Sequence, residues 1–230
     1  MKRETLQAML AARGARRPVA LLTLLSTGEQ WLARPSRAGT APAFAQSAAP
    51  EVEDALAADR SITVETPQGA VFIQVFVPPA RMIIVGAVHI AQSLAPMASL
   101  AGYDVTVVDP RRAFASDARF PGVSVLGQWP DEALEGLALD ARTAVVTLTH
   151  DPKLDDPALA AALRSEAFYI GALGSKRTHA ARLERLTEAG FGEDQRKRIH
   201  GPAGLDIGAR TPAEIALAIV AQATQVLRQG

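Results

Sequence analysis

Two adjacent cations just after a glycine turn are the sharpest chemical signal in this chain: Tyr169-Ile170-Gly171-Ala172-Leu173-Gly174-Ser175-Lys176-Arg177. Glycines at 171 and 174 let the backbone turn with its N–H groups exposed, Ser175 can cap the helix that follows, and Lys176 and Arg177 fall in that helix's first turn. Cations at a helix start oppose its dipole. An anion that neutralises both, a phosphate above all, accounts for their placement. The segment is not a P-loop, because Gly-x-x-x-x-Gly-Lys-Ser/Thr does not occur. The competing reading is a solvated basic helix start.

Three further groups could carry chemistry. Gly86-Ala87-Val88-His89-Ile90-Ala91 is a degenerate glycine fingerprint, in which Gly86 supplies the tight turn and small Ala91 lets helix pack on strand. Val88 stands at the middle glycine position, where its methyls would crowd a pyrophosphate, and this argues against ordinary NAD binding. Asp109 ends the next apolar run, where an acidic residue usually meets a ribose hydroxyl, and Pro110-Arg111 follows. His150 and Asp151, in Thr149-His150-Asp151-Pro152-Lys153, could exchange a proton or orient a polar ligand; the alternative is a helix cap beside a loop histidine. The glycine-rich Ile199-His200-Gly201-Pro202-Ala203-Gly204-Leu205-Asp206-Ile207-Gly208 holds a histidine and Asp206. The histidines at 89, 150, 179 and 200 include no helical i, i+4 pair, so no dedicated zinc site is expected.

Composition narrows the chemistry. With Cys 0 there is no disulfide, thiolate ligand or cysteine nucleophile. Lys+Arg 24 against Asp+Glu 24 leaves no global field to draw the chain to nucleic acid or an anionic membrane, so any anion site is local. Hydrophobic residues at 48% of 230 can fill a core. Arg16-Arg17 before the apolar run 19–25, with Ala43-Phe44-Ala45 downstream, imitates an export signal. The polar spacer with Trp31, Arg34, Pro35 and Arg37 is wrong for one. No apolar run approaches the roughly 20 residues of a membrane span, so an intracellular protein is expected.

The elements that must position these residues follow from periodicity. Short apolar runs at 82–85, 104–108, 123–126, 143–149 and 168–170 alternate with helical stretches at 88–101, 130–138, 154–165, 175–190 and 211–228. Little polar alternation within the runs implies a sheet covered on both faces. Repeated βα units then predict a doubly wound, mostly parallel Rossmann-type sheet of α/β class. Thr211-Pro212-Ala213-Glu214 carries a capping-box spacing for the last helix. Ahead of this, residues 1–80 read as a small α+β annex. It has a helix over 5–13, a hairpin of 19–25 with 30–33, a loop over 34–50, a helix over 51–58 and a second hairpin of 61–65 with 70–77. Pro78-Pro79 marks the boundary with 81–230, since neither proline can donate a ladder hydrogen bond.

Taken together, Val107-Val108-Asp109-Pro110-Arg111, Thr149 through Asp155, Tyr169 through Arg177 and Gly204 through Gly208 resemble the C-terminal domain of the xanthine dehydrogenase accessory factor family (XdhC/CoxI type), from about residue 81 onward. The resemblance implies a cytoplasmic, usually homodimeric chaperone that binds molybdenum cofactor and delivers it to a xanthine dehydrogenase-like molybdoenzyme. The molybdopterin phosphate suits the basic loop. Cofactor-binding candidates are then Gly86, His89, Asp109, Arg111, His150, Asp151, Gly171, Gly174, Ser175, Lys176, Arg177 and Asp206, with no catalytic residue. Compared with the family, residues 1–80 are short and cysteine-free, which leaves no thiolate grip on molybdenum. The rival readings are an NAD(P)-dependent oxidoreductase with His150 as acid/base, and a paralogue that keeps the fold and binds nothing.

Overall fold

A computed structural model describes residues 2–33, 41–111, 113–116 and 118–229, which form two compact units, Met1–Pro78 and Pro79–Gly230.

In the first unit, α1 (Arg3–Gly14) precedes β1 (Val19–Leu24) and β2 (Gln30–Ala33). Then come α2 (Ala43–Ser47), α3 (Ala49–Ala57), β3 (Ile62–Thr66) and β4 (Gly69–Phe76). The strands form an antiparallel sheet in the order β2-β1-β4-β3. β1 is apolar almost throughout because both its faces are covered: Ala20, Leu22 and Leu24 join the cluster with Phe44 and Val52, while Val19 and Leu21 join Ala12 of α1. The loop expected over 34–50 is corrected at its end, where α2 and the start of α3 stand; residues 34–40 lie outside the described residues. A run of Ala, Phe and Pro carries no obvious period, yet burial of Phe44, Ala45 and Ala48 makes a helix of it.

The second unit contains β5 (Arg81–Val85), α4 (His89–Leu100), β6 (Asp104–Val108), β7 (Ser124–Leu126), α5 (Pro130–Gly136) and β8 (Thr143–Thr147). It continues through α6 (Pro152–Arg164), β9 (Tyr169–Ala172), α7 (Lys176–Glu188), α8 (Glu193–Arg196), β10 (Ile199–His200) and α9 (Pro212–Gln229). Six parallel strands in the order β10-β9-β8-β5-β6-β7 make the doubly wound sheet predicted from the βα rhythm. Alternate residues go to opposite layers. Met82, Ile84 and Val146 meet Leu94 of α4 and Ile219 of α9, whereas Ile83, Val85 and Val145 meet Leu134 of α5 and Leu159 of α6.

In this second unit two elements escape the sequence reading, α8 and β10. At two residues β10 has no period to read, and it exists through its pairing of Ile199 with Ile170 and His200 with Gly171. The capping box of α9 is as expected: the Glu214 N–H donates to Thr211 Oγ1 (3.3 Å) and the Thr211 N–H to Glu214 Oε2 (2.9 Å). No helix among the described residues is long and apolar enough to cross a membrane.

Candidate functional site

Strand order reverses between β5 and β8, so the loops leaving their carboxyl ends diverge and open a crevice, the position where open α/β sheets take ligands. Gly86 leaves β5 at φ +108, a conformation that L side chains rarely adopt. A Cβ there would lie 2.5 Å from Thr149 Cγ2, so the loops after β5 and β8 are in close contact at this point. Val88 caps α4 with φ −84, which needs no glycine, and His89 begins the helix exposed.

The acidic residue after β6 is corrected by its surroundings. Asp109 is fully buried, and both its oxygens are occupied. Oδ2 accepts the Ala87 N–H (2.8 Å) and Arg111 Nη2 (2.7 Å), and Oδ1 accepts the Arg111 N–H and Nε, each at 2.9 Å. It does not stand free for a ribose hydroxyl; it fastens the fingerprint turn to the Arg111 loop. Burial pushes its carboxyl up, but the Arg111 hydrogen bonds, the Ala87 N–H and the Arg111 charge outweigh burial and hold it below its ordinary value. Arg111 is raised by its hydrogen bonds to Asp109, against burial, with Asp109, Asp151 and Asp155 adding charge. Arg119 Nη1 ties the same turn down by donating to the carbonyls of Ala87 and Phe114, both at 2.8 Å.

After β8, His150 is exposed and held at φ +61, an uncommon setting for a residue with a side chain. Asp151 is the cap of α6, its Oδ1 accepting the Lys153 N–H at 3.0 Å. Buried Asp155, one turn along α6, gathers this whole loop. Oδ1 accepts Thr149 Oγ1 (2.6 Å) and the Thr149 N–H (3.3 Å), and Oδ2 accepts the His150 N–H (3.1 Å). Its counter-ion is Arg182 of α7 at 3.6 Å, with side-chain exposures of 2% and 1%. Burial raises Asp155 and lowers Arg182, the penalty for putting both charges out of water.

After β9, Gly174 at φ +145 turns the chain into α7, and Ser175 caps it as expected, Oγ accepting the Thr178 N–H at 3.1 Å. A Cβ on Gly174 would be 3.1 Å from Thr178 Cβ and 3.7 Å from His150 Nδ1, so the imidazole of His150 lies beside this entry. The side chains of Lys176 and Arg177 are exposed and make no hydrogen bond or ion pair among the described residues. Gly171 is inside β9, where a Cβ would meet the Tyr169 ring at 2.8 Å; it makes room for that ring instead of exposing N–H groups, which corrects its reading as part of the turn.

The structure thus brings Gly86, Arg111, His150, Asp151, Gly174 and Ser175 to one end of the sheet with the two cations. Asp206 is exposed on the loop between β10 and α9, and no bond among the described residues ties it to that group. Asp155 and Arg182 are the site residues that sequence reasoning misses. Asp155 sits inside the motif Thr149 through Asp155, but Arg182 is one of several arginines in α7 and carries no signal of its own. A cavity of about 600 Å³ opens elsewhere, between α5 and α6, lined by Leu134, Leu139, Ala160 and Arg164 among others and by none of the candidates.

Comparison with known proteins agrees with this architecture. Residues 82–223 match the family model described as the XdhC Rossmann domain. PaoD of Escherichia coli K12, named a molybdenum cofactor insertion chaperone, is 34% identical over 151 residues, 66% of this chain and 41% of PaoD. A Bacillus subtilis 168 protein named as a probable xanthine dehydrogenase component is 31% identical over 159 residues, 69% of this chain and 46% of that protein. The chain therefore spans less than half the length of each of these relatives. A crystal structure of a xanthine dehydrogenase from Bacillus halodurans superposes with a TM-score of 0.70 at 27% identity, covering 99% of this chain and 65% of that one. With a family model matched over more than half its length and the doubly wound sheet in place, this chain belongs to the XdhC Rossmann domain family.

Proposed function

We propose that this chain is a xanthine dehydrogenase accessory protein that binds molybdenum cofactor and delivers it to a xanthine dehydrogenase-like molybdoenzyme. The observation that carries the reading is the entry to α7, where the exposed side chains of Lys176 and Arg177 stand in the first turn and have no partner among the described residues. Two free cations, unengaged amides and a glycine that admits close approach form a donor set for a phosphate dianion, which the pterin carries. The name of PaoD supports the same cargo.

In this reading Lys176, Arg177, Ser175 and the Gly174 backbone hold the phosphate, Gly86, His89, Arg111 and Asp151 line the pterin side, and His150 stands where the two meet, beside Gly174. With no cysteine in the chain, the molybdenum end is not gripped by thiolate. Hand-over then needs only a partner with higher affinity, and no covalent step. The closed Asp109 disfavours the dinucleotide alternative, because no free carboxylate remains to receive a ribose.

The test is to purify the protein from cells that make molybdopterin, denature it and measure the fluorescence of the oxidised pterin, with a parallel NAD(P)H titration. Pterin without nicotinamide binding is expected, together with loss of pterin but not of melting temperature in Lys176→Ala/Arg177→Ala. Saturable NAD(P)H binding with turnover would sink the proposal.

A further inference from the structure

His150 is exposed, bears a side chain at φ +61, and its imidazole makes no hydrogen bond to a described residue. A turn that only had to reverse the chain would be served better by glycine, so the conformation is held by something and keeps an imidazole in place. What holds it is the Asp155 carboxylate, which accepts the N–H groups of both Thr149 and His150 and the Thr149 hydroxyl.

Asp155 is in turn fixed by Arg182, and Arg182 reaches the second loop as well: its Nη2 donates to the carbonyl of Leu173 at 2.9 Å, one residue before Gly174. A single buried ion pair therefore ties down the turn after β8 and the turn after β9 together. Where those turns meet, His150 Nδ1 comes to 3.7 Å from the Cβ position of Gly174, at the mouth of α7.

Stability is a poor explanation for such a pair. Desolvating two charges costs about as much as their attraction returns, and here Nε and Nη1 of Arg182, in a side chain 1% exposed, have no hydrogen-bond partner among the described residues. An apolar pair would fill the space with less penalty. Charge at this spot matters for what it positions.

We infer that the buried Asp155–Arg182 pair is a positioning element that holds His150 over the entry to α7, where the imidazole is a third group on the bound anion beside Lys176 and Arg177. The inference rests on the phosphate reading above and adds to it a residue that touches the phosphate and the two that aim it.

The experiment uses the whole chain, isotope-labelled for NMR, titrated with inorganic phosphate against chloride of matched ionic strength. Phosphate is expected to shift the His150 imidazole and the Lys176 and Arg177 amides with one common Kd. His150→Gly, which relieves the left-handed conformation and removes the ring, is expected to weaken phosphate binding about tenfold without lowering Tm. Asp155→Asn should weaken binding by a similar factor, and adding it to His150→Gly should cost nothing more, because both act through the same ring. If Asp155→Asn alone does not fold, Asp155→Asn/Arg182→Gln, which leaves no unpaired buried ion, takes its place. Wild-type affinity in His150→Gly, with Lys176→Ala/Arg177→Ala still losing phosphate, overturns this inference and leaves the phosphate site standing. Multiplying losses in the double variant overturn the positioning role. Phosphate that shifts neither the ring nor the amides overturns the inference and the phosphate reading together.

Discussion

The guanidinium of Arg111 closes on the Asp109 carboxylate through paired side-chain hydrogen bonds of 2.9 and 2.7 Å, and Oδ2, which takes the shorter of the two, also accepts the Ala87 N–H. One carboxylate thus locks the fingerprint turn to the loop after β6. This arrangement has a pH signature. The folded-state pKa of Asp109 lies below its ordinary value of 3.8, so the unfolded chain binds the proton more readily. The stabilisation is complete above about pH 4 and is lost as pH falls through the lower, folded value. Asp109→Asn should cost about 1–2 kcal/mol at pH 7, and the gap from wild type should narrow towards pH 2, as read by urea melts across that range.

Gly86 is predicted to be intolerant of a methyl group for two separable reasons. Gly86→Ala meets both a positive φ and a Thr149 methyl 2.5 Å away, and should lose about 3 kcal/mol. Adding Thr149→Ser removes the methyl but keeps the hydroxyl that donates to Asp155, so it should recover part of the loss and leave the backbone part. No recovery in thermal melts would mean that the two loops are not in contact.

Neutralising the start of α7 is expected to move stability and ligand binding in opposite directions. In Lys176→Gln/Arg177→Gln, two cations that oppose the helix dipole disappear, so the ligand-free protein should gain about 0.3–1 kcal/mol. Phosphate binding should fall at least tenfold in the same variant. A loss of stability without ligand would assign those side chains a structural role instead.

On the other side of β9, Tyr169 Oη donates to Gln222 Oε1 at 2.7 Å, and that same oxygen accepts the Gly204 N–H at 2.8 Å. The Tyr169 ring stacks on His200 with centroids 4.9 Å apart. Tyr169→Phe keeps the stack and loses the hydroxyl bond, so it should destabilise by about 1 kcal/mol and leave phosphate binding unchanged. An altered phosphate affinity would show that this network belongs to the binding site.

Much of the fold and part of the site can be read from residue order. The helices from α4 to α7 and α9 announce themselves by period and by caps such as Ser175 and Thr211, and the continuous apolar runs from β5 to β9 mark a sheet buried on both faces. Four spaced motifs are specific enough to place the chain in its family, which the match over 82–223 bears out. Local signals fail where an element is too short to have a period, as in β10, or where burial alone makes it, as in α2.

What the sequence by itself determined is therefore the class of the fold, the places where the chain turns, and the pair of cations set against a helix start. Those properties are local: they follow from propensity, caps and spacing within a few residues. Only the tertiary structure decided which charges are spoken for. Asp109 reads as a ligand-facing acid, yet the Ala87 N–H, 22 positions earlier, joins its neighbour Arg111 in closing it, while Arg182, indistinguishable in sequence from the arginines around it, is buried against Asp155, 27 positions earlier in the chain. Whether a carboxylate or guanidinium is free depends on partners that the sheet brings together from distant positions, and no periodicity encodes that pairing.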